Sequence, residues 1–96
     1  MKSSVYILIS KKTKKFYIGF TRLSVLERLE RHNNLHYENS YTEKGIPWVI
    51  FHVIECESEN QAIKIESHIK NMKSSKYIQN LKKFPEIVEK LKFKYI

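Results

Sequence analysis

Five residues of this sequence carry groups able to bind an anion or move a proton, at spacings that would bring them together: Tyr6, Tyr17, Arg28, His32 and Glu66. Tyr6 and Tyr17 stand in two apolar runs separated by a lysine-rich turn, so each offers a phenol from one strand of a hairpin. Arg28 and His32 are four residues apart in a helical segment and share one of its faces. Glu66 lies beside an apolar stripe in a later helical segment, one turn from both Ala62 and Ile69. Arginine presents two parallel donors in fixed geometry to phosphate oxygens, which lysine cannot do. Histidine, with an ordinary pKa of about 6.5, exchanges a proton near neutrality. A phenol, at about 10, needs neighbouring positive charge, which Lys12, Lys14, Lys15 and Arg28 can provide. Such groups suit phosphodiester chemistry, which needs charge neutralised on the non-bridging oxygens, water deprotonated in line, and help for the departing oxygen.

The elements that must position these groups are legible in order. Ser4 to Ser10 reads as a strand buried on both sides, with Val5, Ile7 and Ile9 on one face and Tyr6 and Leu8 on the other, hence central or close to it. Lys11 to Lys15 is a turn, and Phe16 to Phe20 the returning strand, with Gly19 marking a bulge or a close approach by another group. For the two phenols to share a face, opposite residue numbers must sum to an odd number, as when Lys11 faces Phe16 across a four-residue turn. A bulge near Gly19 is the other way to bring them together.

Ser24 to Glu27 forms a capping box that starts a helix running to about Asn33, with Leu26 and Leu29 packed inward. Asn34 to Gly45 is a polar, aperiodic loop long enough to bind something. Ile46 to Ile54 reads as a third strand with Pro47 at its start. Ser58 to Gln61 is a second capping box, opening a helix to about Asn71 on the stripe Ala62, Ile65, Ile69 and Met72. A short helix at Lys76 to Leu81 and one from Pro85, a favoured first helical residue, to about Lys92 complete the chain. One domain over residues 1–96 is expected from the length, with 73–96 as a C-terminal helical extension.

Eighteen Lys and Arg against ten acids give a net charge of +8 and a pI near 9.6, which points to a polyanionic partner, nucleic acid first. All three arginines, Arg22, Arg28 and Arg31, fall in the first third of the chain. All ten acids are glutamates. That removes nuclease sites built on an aspartate with Glu-x-Lys, two-metal sites with bridging aspartates, and aspartate-based calcium loops. A lone cysteine, Cys56, excludes an internal disulfide and suits a reducing, cytoplasmic setting, and no apolar run is long enough for a membrane span or a signal peptide. His32 and His36 have the spacing of a zinc-protease helix, but Asn33 stands where the catalytic glutamate would be. Cys56, His52 and His68 lack a fourth zinc ligand at a helpful spacing.

Val5-Tyr6-Ile7, Tyr17-Ile18-Gly19, Arg28 with His32-Asn33, Tyr41-Thr42, Pro47-Trp48 and Ala62 to Glu66, in that order, resemble the GIY-YIG endonuclease domain over residues 4 to about 72. The small stand-alone members are most similar. Val5 stands where the name-giving motif has glycine; those small members also carry a bulkier residue there, and the change reads as strand packing. The resemblance implies an α+β fold, a three-stranded antiparallel β-sheet flanked by helices. It implies hydrolysis of nucleic acid with one divalent metal, Mg2+ or Mn2+. Glu66 matches the metal-binding glutamate, Arg28 the arginine that stabilises the pentavalent phosphorane, Tyr6 and Tyr17 the motif tyrosines, and His32 a position held by Tyr or His. A distal asparagine is usual in parts of the family, with Asn80 and Asn71 open to that place. The candidate nucleic-acid contacts are Lys11, Lys12, Lys14, Lys15, Arg22, Arg31, Tyr41 and Thr42. The expected function is a DNA endonuclease selective for branched, nicked or single-stranded features, in repair or processing. A binding module without turnover and a ribonuclease are the alternatives. Tyr6, Tyr17 and His32 all stand open as the general base.

Overall fold

The computed structural model describes residues 2–34 and 43–96. Ser3–Ser10 (β1), Phe16–Thr21 (β2) and Trp48–Cys56 (β3) form one antiparallel sheet in the order β2-β1-β3. β1 is thus the central strand, and its alternation feeds two separate cores. Val5 and Ile7 join Ile54, Cys56 and the helices Glu59–Met72 (α2), Ser75–Lys83 (α3) and Pro85–Lys94 (α4). Tyr6 and Leu8 join Trp48, Tyr17 and the helix Val25–Asn33 (α1) on the opposite face. This is the expected α+β architecture. Val5 is fully buried among aliphatic side chains, as a packing residue would be. No described helix is long and apolar enough to cross a membrane.

The hairpin has the parity that the two phenols require. Tyr6 faces Gly19 and Leu8 faces Tyr17, sums that are odd, so Tyr6 and Tyr17 lie diagonally on one face without a bulge between them. The register is shifted by two residues from Lys11 against Phe16, since Ile9 takes Phe16. Lys14 closes the turn in the left-handed region, its N–H donating to Ser10 O, while Ser10 Oγ accepts from the N–H groups of Lys12 and Thr13.

β3 contains an irregularity that the sequence did not announce. Ile7 pairs with His52 but Leu8 with Ile50, leaving Phe51 as an extra residue. The bulge resets the alternation, so that Trp48 and Ile50 face α1 while Ile54 and Cys56, also even-numbered, face α2. The strand also starts later and runs further than expected, to Cys56.

Three helical details differ from expectation. Ser24 precedes α1 in extended conformation but its side chain makes no capping bond, and Glu27 pairs forward with Arg31 at 3.2 Å instead of reaching back. Leu26 is 67% exposed, because the inward row of α1 is Val25, Leu29 and His32, and Leu26 stands a hundred degrees around from its start. On α2 the inward row stops at Ile69, and Met72 is 45% exposed in the last turn. The second capping box is half made: Ser58 Oγ accepts from Gln61 N at 3.1 Å. The Gln61 side chain accepts from Glu57 N and donates to Lys92 O, tying α2 to α4.

Candidate active site

An open cleft of about 270 Å³ runs along the edge strand β2, and four elements supply its walls. β1 gives Tyr6, β2 gives Tyr17, Gly19, Phe20 and Thr21, α1 gives Arg28, and α2 gives Glu66, with Arg22 at the turn after β2. Tyr6, Tyr17, Gly19 and Thr21 share the face that α1 covers, whereas α2 packs on the other face. Glu66 therefore meets the phenols past the exposed edge of the sheet, beside Phe20. An edge strand is what makes this possible, since a fourth strand there would wall off the carboxylate.

Gly19 is required by contact. A Cβ on it would stand 2.6 Å from both Cζ and Oη of Tyr6, so only glycine lets the phenol lie across the neighbouring strand. Of the two alternatives for this residue, the close approach is the one realised. Arg28 is oriented from below: its Nε donates to Thr21 Oγ1 at 3.2 Å, and the same hydroxyl accepts from Leu23 N at 2.9 Å. Thr21 is fully buried at the strand end, and its role was missed because a threonine in that place is ordinary strand composition.

His32 belongs behind the cleft. It is 3% exposed, its Nε2 lies 3.3 Å from Tyr6 Oη, and its ring centroid is 4.5 Å from that of Tyr17. Burial, reinforced by the Arg28 charge, lowers its pKa to about 4. Burial thus favours the neutral imidazole, packed behind the two phenols. The next residue, Asn33, anchors the helix: its side chain accepts from Trp48 N at 2.6 Å and donates to Trp48 O at 2.9 Å.

The remaining candidates divide. Arg22 lines the cleft and lies 3.5 Å from Glu59 on α2. Lys11, Lys12, Lys14 and Lys15 are exposed at the tip of the hairpin, Lys15 about 7 Å along the strand from Tyr17 at two residues' rise. Arg31 is turned away, paired with Glu27 outside the cleft. Tyr41 and Thr42 lie outside the described residues, as does His36. Asn71 and Asn80 are not among the cleft's residues.

Among the described residues no group of three or more His, Cys or Glu is gathered into a metal cage. The donor chemistry of the cleft nonetheless fits a hard divalent cation: one carboxylate, from Glu66, with hydroxyl oxygens on Tyr6, Tyr17 and Thr21. Magnesium keeps several of its waters and needs few protein ligands. Glu66 Oε1 is 3.7 Å from Lys70 Nζ, a long, partly exposed pair that a bound cation would readily replace.

The fold is that of a small α+β domain with a three-stranded antiparallel sheet flanked by helices. The family model described as the GIY-YIG catalytic domain matches residues 2–80, and the chain belongs to the GIY-YIG family, whose catalytic domains are nucleases. A protein of Syntrophus aciditrophicus (strain SB), named only as a UPF0213 protein, is 34% identical over 86 residues, which span 88% of this chain and 95% of the relative. No solved structure matches the chain significantly.

Proposed function

We propose that this chain is a metal-dependent endonuclease that hydrolyses DNA phosphodiester bonds at branched, nicked or single-stranded features, in DNA repair or processing in the cytoplasm. The observation that carries the reading is the convergence of Tyr6, Tyr17, Arg28 and Glu66 from four elements on one open cleft. A decayed binding module would not need that set held together.

The geometry supports the following roles. Arg28, its plane fixed through Nε by Thr21, offers its terminal nitrogens to two non-bridging oxygens. Neutral His32, its Nε2 3.3 Å from Tyr6 Oη, is placed to take the phenol's proton as the phenolic oxygen takes one from the attacking water, so that the two together serve as the general base. Tyr17, more exposed than Tyr6, is placed to hold the attacking water or a phosphate oxygen. Glu66, with nearby hydroxyls, would hold Mg2+ or Mn2+, which supplies charge to the phosphate and makes deprotonation near it easier. Arg22 and the hairpin lysines bind backbone, giving affinity with little base readout.

The test is a panel of end-labelled DNA and RNA substrates, duplex, nicked, branched and single-stranded, with magnesium, manganese or chelator. Metal-dependent cuts in branched, nicked or single-stranded DNA are expected. Cleavage of RNA in preference would make the chain a ribonuclease, and no cleavage of anything, with binding retained, would leave a binding module.

A further inference from the structure

A second cavity lies on the far side of the helix that carries Glu66. Lys64, Ser67, His68, Asn71 and Met72 recur along α2 at intervals of three and four, and with Tyr95 at the end of α4 they line an open groove of about 490 Å³. It is larger than the cleft. His68 Nδ1 lies 2.9 Å from Tyr95 Oη, the two rings pack edge to face at 5.7 Å, and Tyr77 of α3 approaches His68 at 6.0 Å. The Lys94 ammonium sits 5.4 Å from the centre of the Tyr95 ring.

The chemistry of this groove is selective. No lining residue is acidic, although a neighbouring cavity of about 410 Å³ at the N-terminal end of α2 contains Glu57 and Glu89. Two ammonium groups, Lys64 and Lys94, frame aromatic rings, a thioether, an amide and a hydroxyl. A ligand matching both parts is a polyanion with flat, hydrogen-bonding faces. Aromatic platforms inside a basic channel are how unpaired nucleotides are held without regard to sequence. An acidic peptide would satisfy the lysines but leave the ring faces without a partner.

Glu66 and Ser67 are consecutive, so the cleft and the groove are separated only by α2, a cylinder of about 10–12 Å. The surface between them carries Lys70 and exposed Ile63, while Glu59, one turn before Ile63, lies 3.5 Å from Arg22. We infer that the groove is a binding site for the unpaired nucleotides of a single-stranded arm, which leaves the cleft, crosses α2 past Lys70 and lodges its bases against Tyr95, His68 and Met72. This rests on the proposed nuclease reading and specifies its substrate: a duplex junction with a single-stranded tail.

The experiment measures binding by fluorescence anisotropy in chelator, using a labelled blunt DNA duplex and the same duplex with a five-nucleotide tail carrying 2-aminopurine. Lys64→Glu and Asn71→Asp alter exposed positions that leave the core intact; Tyr95→Ala removes the ring and Tyr95→Phe retains it. The wild type should prefer the tailed duplex by about tenfold, within what one stacked base contributes. The two charge variants and Tyr95→Ala should lose that preference, Tyr95→Phe should keep it with the 2-aminopurine quenching, and blunt-duplex affinity should stay within twofold. Equal affinity of wild type for both duplexes, or equal losses on both in the variants, overturns the inference. Release of the tailed duplex by an acidic peptide as readily as by single-stranded DNA also overturns it. Because the binding is read without metal, tail preference in a protein that cuts nothing would refute the nuclease reading while leaving the groove assigned.

Discussion

The two faces of one strand have been given different work. On the face toward α2, α3 and α4, Val5 and Ile7 meet Ile54, Ile65, Ile69 and Leu81, a mainly aliphatic core. On the face toward α1, Tyr6 meets Tyr17, Trp48 and the buried imidazole of His32, and the cleft opens at its margin. A strand's period of two separates stability from chemistry within eight residues. The contrast teaches that the closed face can be altered at a cost in stability alone, whereas the aromatic face couples packing to proton handling.

Four substitutions or conditions can break or sharpen that contrast. Glu66→Gln, which keeps size and hydrogen bonding, should reduce cleavage by several powers of ten, on the scale of ~3–5 kcal/mol of transition-state stabilisation, with no loss of thermal stability. DNA affinity in chelator should be equal or higher, since a negative charge facing phosphate has gone; cleavage at the wild-type rate would remove Glu66 from the mechanism.

Ile65→Ala is the reverse case. Deleting a fully buried side chain should cost about 2–5 kcal/mol in urea unfolding, while the folded fraction cleaves at the wild-type rate. If the rate per folded molecule fell with stability, the two faces would not be separable.

Thr21→Val keeps the shape of the side chain but takes away the acceptor for Arg28 Nε. Cleavage at saturating DNA should fall about tenfold, within what a hydrogen bond to a charged group contributes, and Thr21→Ser should restore it. A valine variant with unchanged turnover would show that Arg28 needs no such support.

A further test is a pH dependence. The pKa of His32 is about 4 when folded and about 6.5 when unfolded, so between these values the unfolded chain binds more protons. The stability from neutral His32 is fully present above about pH 6.5 and is lost as pH falls to about 4. His52 and His68 are also lowered by burial and act in the same direction, so the diagnostic is a difference. Urea midpoints of His32→Gln should decline less than wild type between pH 7 and 4, and identical slopes would mean that His32 does not sense its burial.

The parts of this molecule that were legible in its sequence are those in which periodicity and chemistry agree. Val5 to Ile9 could be assigned to a central strand because both of its faces are apolar. The hairpin's odd parity followed from requiring Tyr6 and Tyr17 on one side. The phase of α1 was not legible: Leu26 and Leu29 look like its inward pair, but Val25, Leu29 and His32 are the row that packs. An imidazole is not counted as apolar, and so the burial of His32 left no trace in the pattern. Phe51 was equally silent, since the run from Trp48 to Ile54 is apolar at almost every position and contains no glycine to mark a bulge. Thr21 needed the fold to bring Arg28 to it from seven residues away.

The double bond between Asn33 and Trp48 bears on how the molecule avoids its own kind. β3 is an outer strand, and the N–H and C=O of Trp48 point away from β1, where an unpaired edge can template the addition of another chain. The carboxamide of Asn33 fills both, imitating one residue of a fourth strand. Strand addition at that end of the sheet would first have to pull α1 away from it, so the anchor of the aromatic face is also a guard against aggregation.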